Sequence, residues 1–155
     1  MSAVARLLVF RLGEQRYAVS LDAIQRIVAA VEVTPLPDAP ATVLGLINVA
    51  GSVLPVLSLR RRFGLPQPEI TPSDQFLIAR TARRTVVLVV DEAQSVLECA
   101  TAGIIETARV VAGIDQIQGV LKLPDGLVLI HDLEKFLSAA DTLALSAALS
   151  REDEA

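Results

Sequence analysis

Residues 45–63, GLINVAGSVLPVLSLRRRF, decide how this chain is read. They belong to a longer uncharged run, residues 39–59, followed at once by Arg60, Arg61 and Arg62. A bilayer span with a basic stop has that length and that charge pattern. Yet Pro40, Asn48, Gly51, Ser52 and Pro55 all weaken a helix. The other reading is two buried strands, 44–49 and 53–57, joined at Ala50, Gly51 and Ser52. A short helical turn over 59–63 then ends at Gly64. This reading prevails because the same grammar recurs downstream. A shift of 74 residues lays GVLKLPDGLVLIHDLEKFL, residues 119–137, on residues 45–63 without a gap. Gly45 meets Gly119, Val49 meets Leu123, Val56 meets Ile130 and Phe63 meets Leu137. Apolar matches are common in a chain that is 52% apolar. The glycine pair and the shared strand–turn–strand–helix order carry the repeat.

Strand signals continue outward from both copies. Residues 7–12, LLVFRL, and 16–21, RYAVSL, flank a polar turn at Gly13, Glu14 and Gln15. Residues 75–80, QFLIAR, and the fully apolar 85–90, TVVLVV, flank a second turn, where Arg83 and Arg84 sit. Residues 95–97 extend the pairing. Residues 117–123 and 127–130 flank Pro124, Asp125 and Gly126, a hairpin signal. Residues 23–33 fit either helix or strand, and 101–111 carry no decisive pattern. The proline clusters 34–40 and 66–72 read as extended connections. From Asp132 the spacing of Leu133, Phe136, Leu137 and Ala140 predicts a C-terminal helix. Residues 143–149 continue it, and 151–155 fray. Two small β-barrels, each too small to hold a core alone, follow from this pattern.

Composition excludes several classes. A charged fraction of 21% with so much apolar content rules out a disordered chain. Net charge is −4, so generic nucleic-acid binding has no electrostatic footprint. Residues 1–69 carry seven arginines against five acids, and the rest carry seven basic groups against thirteen acids. The two halves therefore offer different surfaces to partners. Arg6 and Arg11 interrupt the first apolar segment, so no signal peptide is expected. Cys99 is the only cysteine, which leaves no intrachain disulfide and fits a reducing compartment. His131 is the only histidine, so a zinc site using several histidines, or a triad built from separate ones, is not expected; no cofactor is expected either.

Enzyme signatures are missing. The chain has no G-x-x-x-x-G-K-[ST], G-x-S-x-G or H-E-x-x-H. Asp91 and Glu92 are adjacent on a strand, point to opposite faces and read as a strand end entering solvent. His131 and Asp132 could form an oriented base in a hydrolase, but a helix N-cap at Asp132 is the simpler role. Cys99 reads as a small core or boundary residue. Arg60, Arg61 and Arg62 could bind phosphate or RNA, but no aromatics interleave to stack bases. A solvated helix face accounts for them.

With these residues in view, the run GLINVAGSVLPVLSLRRRFGL, residues 45–65, resembles the signature of CheW-like domains. Gly45, Asn48, Gly51, Pro55, Leu59, Arg60, Phe63 and Gly64 match it. The opening strands match through Phe10, Gly13, Tyr17 and Ile24. Val90, Asp91 and Val96 match a later segment, and residues 119–138 resemble the family's closing strands and helix. The resemblance spans nearly the whole chain in order. It implies a single domain over 1–155, mainly β. Two SH3-like five-stranded barrels would pack together, with short helices and a C-terminal helix. Approximate lobes are 14–70 and 71–131, with strand and helix exchange between them.

It also implies a non-enzymatic, cytoplasmic adaptor at receptor arrays. Such an adaptor joins chemoreceptor tips, held in a groove near the barrel junction, to the regulatory domain of a CheA-type histidine kinase. Self-association through an apolar barrel edge is open. Neither nucleic acid nor membrane insertion is expected. The partner-binding candidates are Ile24, Arg26, Gly45, Val49, Ala50, Arg60 and Arg61. Three departures stand out. The family's arginine in N-x-R-G is Ala50 here, its acidic residue after Ile24 is Arg26, and the aspartate before Leu59 is Ser58. Partner-facing charges differ while fold positions are kept. Two readings remain: a receptor that differs at the matching positions, or a member that holds kinase or itself without normal receptor coupling.

Overall fold

The computed structural model describes residues 4–82, 84–106 and 117–133. The strands are β1 (Val4–Leu12), β2 (Gln15–Ser20), β3 (Ile24–Ala29), β4 (Val43–Val49), β5 (Ser52–Leu57), β6 (Gln75–Arg80), β7 (Thr85–Val90), β8 (Glu92–Ala100), β9 (Ile105–Glu106), β10 (Ile117–Leu123) and β11 (Gly126–His131). One short helix, α1 (Leu59–Arg62), follows β5, and 3₁₀ turns precede β3 and follow β8. The segment that fitted helix or strand is therefore the strand β3. The C-terminal helix expected from Asp132 onward lies outside the described residues.

The strands form two sheets, ordered β8-β1-β2-β11-β10-β9 and β3-β6-β7-β5-β4. The first is five longer strands plus the two-residue β9. Each sheet is bent round by one segment that pairs with both of its edges. β8 leaves β1, turns through Thr101–Gly103 and returns beside β10 as β9. In the second sheet β3 pairs with β6, and Thr34 just beyond it pairs with Leu46 of β4. Thr34 N donates to Leu46 O at 2.9 Å, and Leu46 N donates back at 2.8 Å.

The 74-residue repeat is physical. The hairpins β4–β5 and β10–β11 carry the same register shift, at Val43/Gly45 and at Ile117/Gly119. Each second strand then takes a parallel neighbour, β7 for β5 and β2 for β11. A cut at residue 70 does not separate the sheets, because β3–β5 and β6–β7 share one of them. The first sheet uses residues 4–20 and 92–131, and the second uses the strands between. Parallel pairing forces this interleaving: β11 finds its partner more than a hundred residues back, and local sequence does not encode that choice.

Three apolar cores follow from period-two alternation. Leu7, Val9, Ala18, Leu121, Val128 and Ile130 fill the first barrel. Ile47, Val56, Phe76, Ile78, Val87 and Val89 fill the second. The residues between them on the same strands, such as Leu8, Phe10, Tyr17, Leu77, Leu88 and Val90, form the seam between the barrels. That is why residues 7–10 of β1 and 86–90 of β7 are apolar without a break: one face lines a barrel and the other the seam. Tyr17 stacks on Phe10 at 6.0 Å and on Phe63 at 5.1 Å, and Phe63 meets the ring of His131 edge-on at 5.4 Å. Cys99 is half-buried against the first barrel's core.

Candidate functional site

Edge strands β3 and β8 have equivalent places in the two sheets, beside β6 and β1. Both are bulged. The register of β3 shifts between Ile24 and Arg26, and β8 carries one extra residue between Ala93 and Ser95. Each bulge places two apolar side chains, three residues apart, on the seam face. On β3 these are Ile24 opposite Ala79 and Ile27 opposite Leu77. On β8 they are Ala93 opposite Phe10 and Val96 opposite Leu8. All four opposing residues belong to the buried seam core. The inner pair, Ile24 and Ala93, packs against that core, while Ile27 is 44% exposed and Val96 52%.

The two strands lie on the same side of the molecule. At one end Gln75 Oε1, on β6 beside the end of β3, accepts from Ala93 N at 2.6 Å. At the other, Arg6 Nη2 lies 3.6 Å from Asp22 Oδ1, just before β3. The seam core thus surfaces between β3 and β8 as an apolar strip with exposed walls. A partner covering it removes apolar area from water without any folding cost in this chain. Residues 24–27, IQRI, and 93–96, AQSV, carry this second repeat in the sequence, at a spacing of 69. Val96 and Ile27 were not among the partner-binding candidates; that spacing signals both, and the family pattern had marked Val96 only as a match.

Other candidates fall in different places. Arg26 is exposed on β3 between Ile24 and Ile27. Val49 and Ala50 sit at the β4–β5 turn, away from the strip in sheet order. Ala50 and Gly51 have φ values of 50° and 87°, the signature of a two-residue type I′ turn. Asn48 Oδ1 accepts from Gly51 N at 3.0 Å and holds the turn. Gly45 is buried and makes no surface of its own. An added Cβ there would run into Thr34 O, so its role is close passage of two backbones.

α1 is a local device. Ser58, fully buried, caps it by accepting from Arg61 N at 3.1 Å and donates to Gln67 Oε1 at 2.7 Å. The Ser58 hydroxyl is thus the N-cap of α1. Arg61 is exposed and donates to Ala41 O at 2.9 Å. Arg60 is only 18% exposed and is committed to Asp91, with Nη2 at 3.1 and 2.9 Å from the two carboxylate oxygens. Asp91 also accepts from Gly13 N at 2.8 Å and from Arg11 Nη1 at 3.3 Å. Asp91 therefore turns inward, contrary to the strand-end expectation. Two separated segments, the β1–β2 turn and α1, supply its donors, while Glu92 faces solvent. The Tyr17 phenol is pushed up by burial, an effect that Arg60 partly offsets.

An apolar cleft of about 600 Å³ opens on the second barrel, lined by Val31, Val33, Leu44, Ile70, Pro68 and Pro72. A smaller polar cleft of about 370 Å³ lies between the loop around Gln67–Asp74 and Asp91. His131 is 2% exposed, and burial with the Arg62 charge pulls its pKa down to about 3. A neutral imidazole sealed against Phe63 has no route to a substrate. Among the described residues, Phe10, Tyr17 and Phe63 pack on one another in the seam and Phe76 fills the second barrel, which argues against base stacking at the arginine run. Among the described residues no helix is long and apolar enough to cross a membrane.

Comparison with known proteins agrees with this geometry. The CheW-like domain model matches residues 6–141. Chemotaxis protein CheW of Rhizobium meliloti is 31% identical over 130 residues, covering 83% of this chain and 84% of that one. Chemotaxis protein CheW of Treponema pallidum is 25% identical over 147 residues, covering 91% and 86%. The crystal structure of scaffolding protein TtCheW from Thermoanaerobacter tengcongensis superposes with a TM-score of 0.80 at 23% identity, covering 91% and 96%. Two interleaved barrels with a surfacing seam, matched over nearly the full length by these relatives, place the chain in the CheW-like family of chemotaxis adaptors.

Proposed function

We propose that this chain couples the cytoplasmic tips of chemoreceptors to a CheA-type histidine kinase, without catalysis, in the cytoplasm beneath the receptor array. The observation that carries the reading is the apolar strip of Ile24, Ile27, Ala93 and Val96, walled by both barrels. A helical hairpin tip buries its own apolar ridge in such a strip. The outer cleft around Val33 and Leu44 is a second apolar surface and takes the kinase's CheW-like regulatory domain. Its place on the second barrel leaves the strip free, so both partners bind at once. Arg26 stands on the strip's β3 wall and favours an acidic group on the receptor. Ala50 offers no donor, so receptor contact at the β4–β5 turn rests on shape.

The test is co-purification from the native cytoplasm with the parent chain, Val96→Asp, Leu44→Asp and Ala50→Arg. The parent is expected to recover kinase and receptor. Val96→Asp is expected to lose receptor and keep kinase, and Leu44→Asp the reverse. Kinase alone from the parent, with receptor gained by Ala50→Arg, would instead establish a kinase-binding member that lacks receptor coupling. Neither partner in any sample would refute the reading.

A further inference from the structure

The strip and the outer cleft are the two ends of one chain of contacts, and α1 is its middle. β8, one wall of the strip, begins immediately after Asp91. Asp91 is held to α1 by Arg60 and to the β1–β2 turn by Gly13 N and Arg11. α1 in turn carries Ser58, which holds Gln67, and Arg61, which holds Ala41 O. Gln67 and Arg61 both line the outer cleft. The loop around Gln67, Pro68, Glu69 and Thr71 is shared: it borders the outer cleft on one side and the polar cleft beside Asp91 on the other.

Coupling between two sites needs an element with two arrangements that each ligand biases differently. Arg60 is placed where such an element would stand, between the two surfaces and beside more than one carboxylate. In the structure it rests on Asp91. The polar cleft that it lines also contains Glu69 and Glu92, which offer the same cation other carboxylates. The cleft, about 370 Å³ in volume, gives the guanidinium room beside these groups.

We infer that the Asp91–Arg60 pair is the coupling element between the two docking surfaces. Occupancy of the strip shifts β8 at its root, and Asp91 passes that shift to α1. The Ser58–Gln67 bond then moves one wall of the outer cleft. The inference rests on the two-surface reading above, and linkage makes it reciprocal. Arg11 holds the carboxylate from the first barrel, so the pair spans the seam rather than lying within one lobe.

The experiment measures affinity of the full-length chain for a CheA-type regulatory domain, with and without a saturating receptor-tip fragment. The ratio of the two dissociation constants is the coupling factor. For the parent it is expected between about 5 and 150. Arg60→Gln and Asp91→Asn are expected to keep each binary affinity within about two-fold and to bring the factor to about one. Arg60→Lys, which keeps the charge, is expected to retain most of it. Thermal unfolding checks that each variant is folded, and Asp91→Asn carries the test where Arg60→Gln is not. A parent factor of one, or an unchanged factor in both charge-removing variants, overturns the inference while leaving the adaptor reading intact. Binary titrations in which the parent binds neither partner overturn both.

Discussion

Replacing Gly45 by alanine tests the closure of the second barrel. The substitution adds one methyl group, but the position is crowded from two directions. The new Cβ would run into Thr34 O and come within 2.7 Å of Val33 Cγ1. Gly45 also has φ of 153°, where an L side chain is strained at a cost of about 1–3 kcal/mol. Relief of the clash requires moving Thr34 away, which breaks the reciprocal 2.9 and 2.8 Å bonds between Thr34 and Leu46. Each lost bond costs about 1 kcal/mol. Strain and bonds together give about 3–5 kcal/mol. Gly51→Ala is the control. Its φ is 87°, yet nothing lies within 4 Å of the added Cβ. It pays the conformational term alone, about 1–2 kcal/mol. Urea unfolding of both variants at 25 °C, at constant m, reads the difference. Gly45→Ala is expected to lose about 2 kcal/mol more than Gly51→Ala, the contribution of the two broken bonds. Equal losses would show that backbone conformation, not close passage of Thr34, explains the glycine.

Ala50 occupies left-handed backbone at the β4–β5 turn, so Ala50→Gly should stabilise the fold by about 1 kcal/mol, seen as a higher urea midpoint. His131 predicts a pH effect with a definite sign. Its native pKa is lowered to about 3 from 6.5, so between those values the unfolded chain binds a proton that the native state refuses. Stability attributable to it is therefore constant above pH 6.5 and falls by about 1.4 kcal/mol per pH unit as the pH drops toward 3. His131→Leu should flatten that part of the profile, and an identical acid slope in both proteins would contradict the assignment. Leu88 is fully buried in the seam, and Leu88→Ala should cost about 2–5 kcal/mol in denaturant unfolding while leaving strand content by circular dichroism unchanged.

How much of this was legible depends on how local each determinant is. The hairpins β4–β5 and β10–β11 could be read because apolar alternation, a turn and a glycine at the bulge recur at one spacing. β7 could be read because both its faces are buried, which leaves six consecutive apolar or β-branched residues. β8 was visible only over 95–97, since most of its nine residues are exposed and polar ones interrupt the apolar pattern. What makes it a strand is the ladder with β1, a long-range term. The interleaving of the lobes was hidden for the same reason, because β11 pairs with β2 through backbone groups that every residue carries. At the proposed site, Ile24 and Arg26 were named as candidates through the family pattern. Asp91 was misread because burial of a carboxylate depends on Arg11 and Arg60 arriving from elsewhere in the chain.

The repeat also accounts for how one strip could discriminate among partners. The apolar pairs are duplicated: Ile24 with Ala93, and Ile27 with Val96, stand at equivalent points of β3 and β8. Duplicated apolar walls would seat a partner in either of two orientations with similar burial. The charged residues break that tie. Arg26 is matched at the same spacing by Ser95, and both are exposed. One wall is cationic and the other neutral at the corresponding point, so an acidic group on the partner fixes which wall it faces. Rim charges act mainly on association rate and its salt dependence, while buried apolar contacts set residence time. Arg26→Ser should therefore slow association with a receptor-tip fragment and weaken its salt dependence, with dissociation little changed. Stopped-flow kinetics at two ionic strengths measure both. A variant that dissociates faster at an unchanged association rate would place Arg26 within the buried contact instead of at its rim.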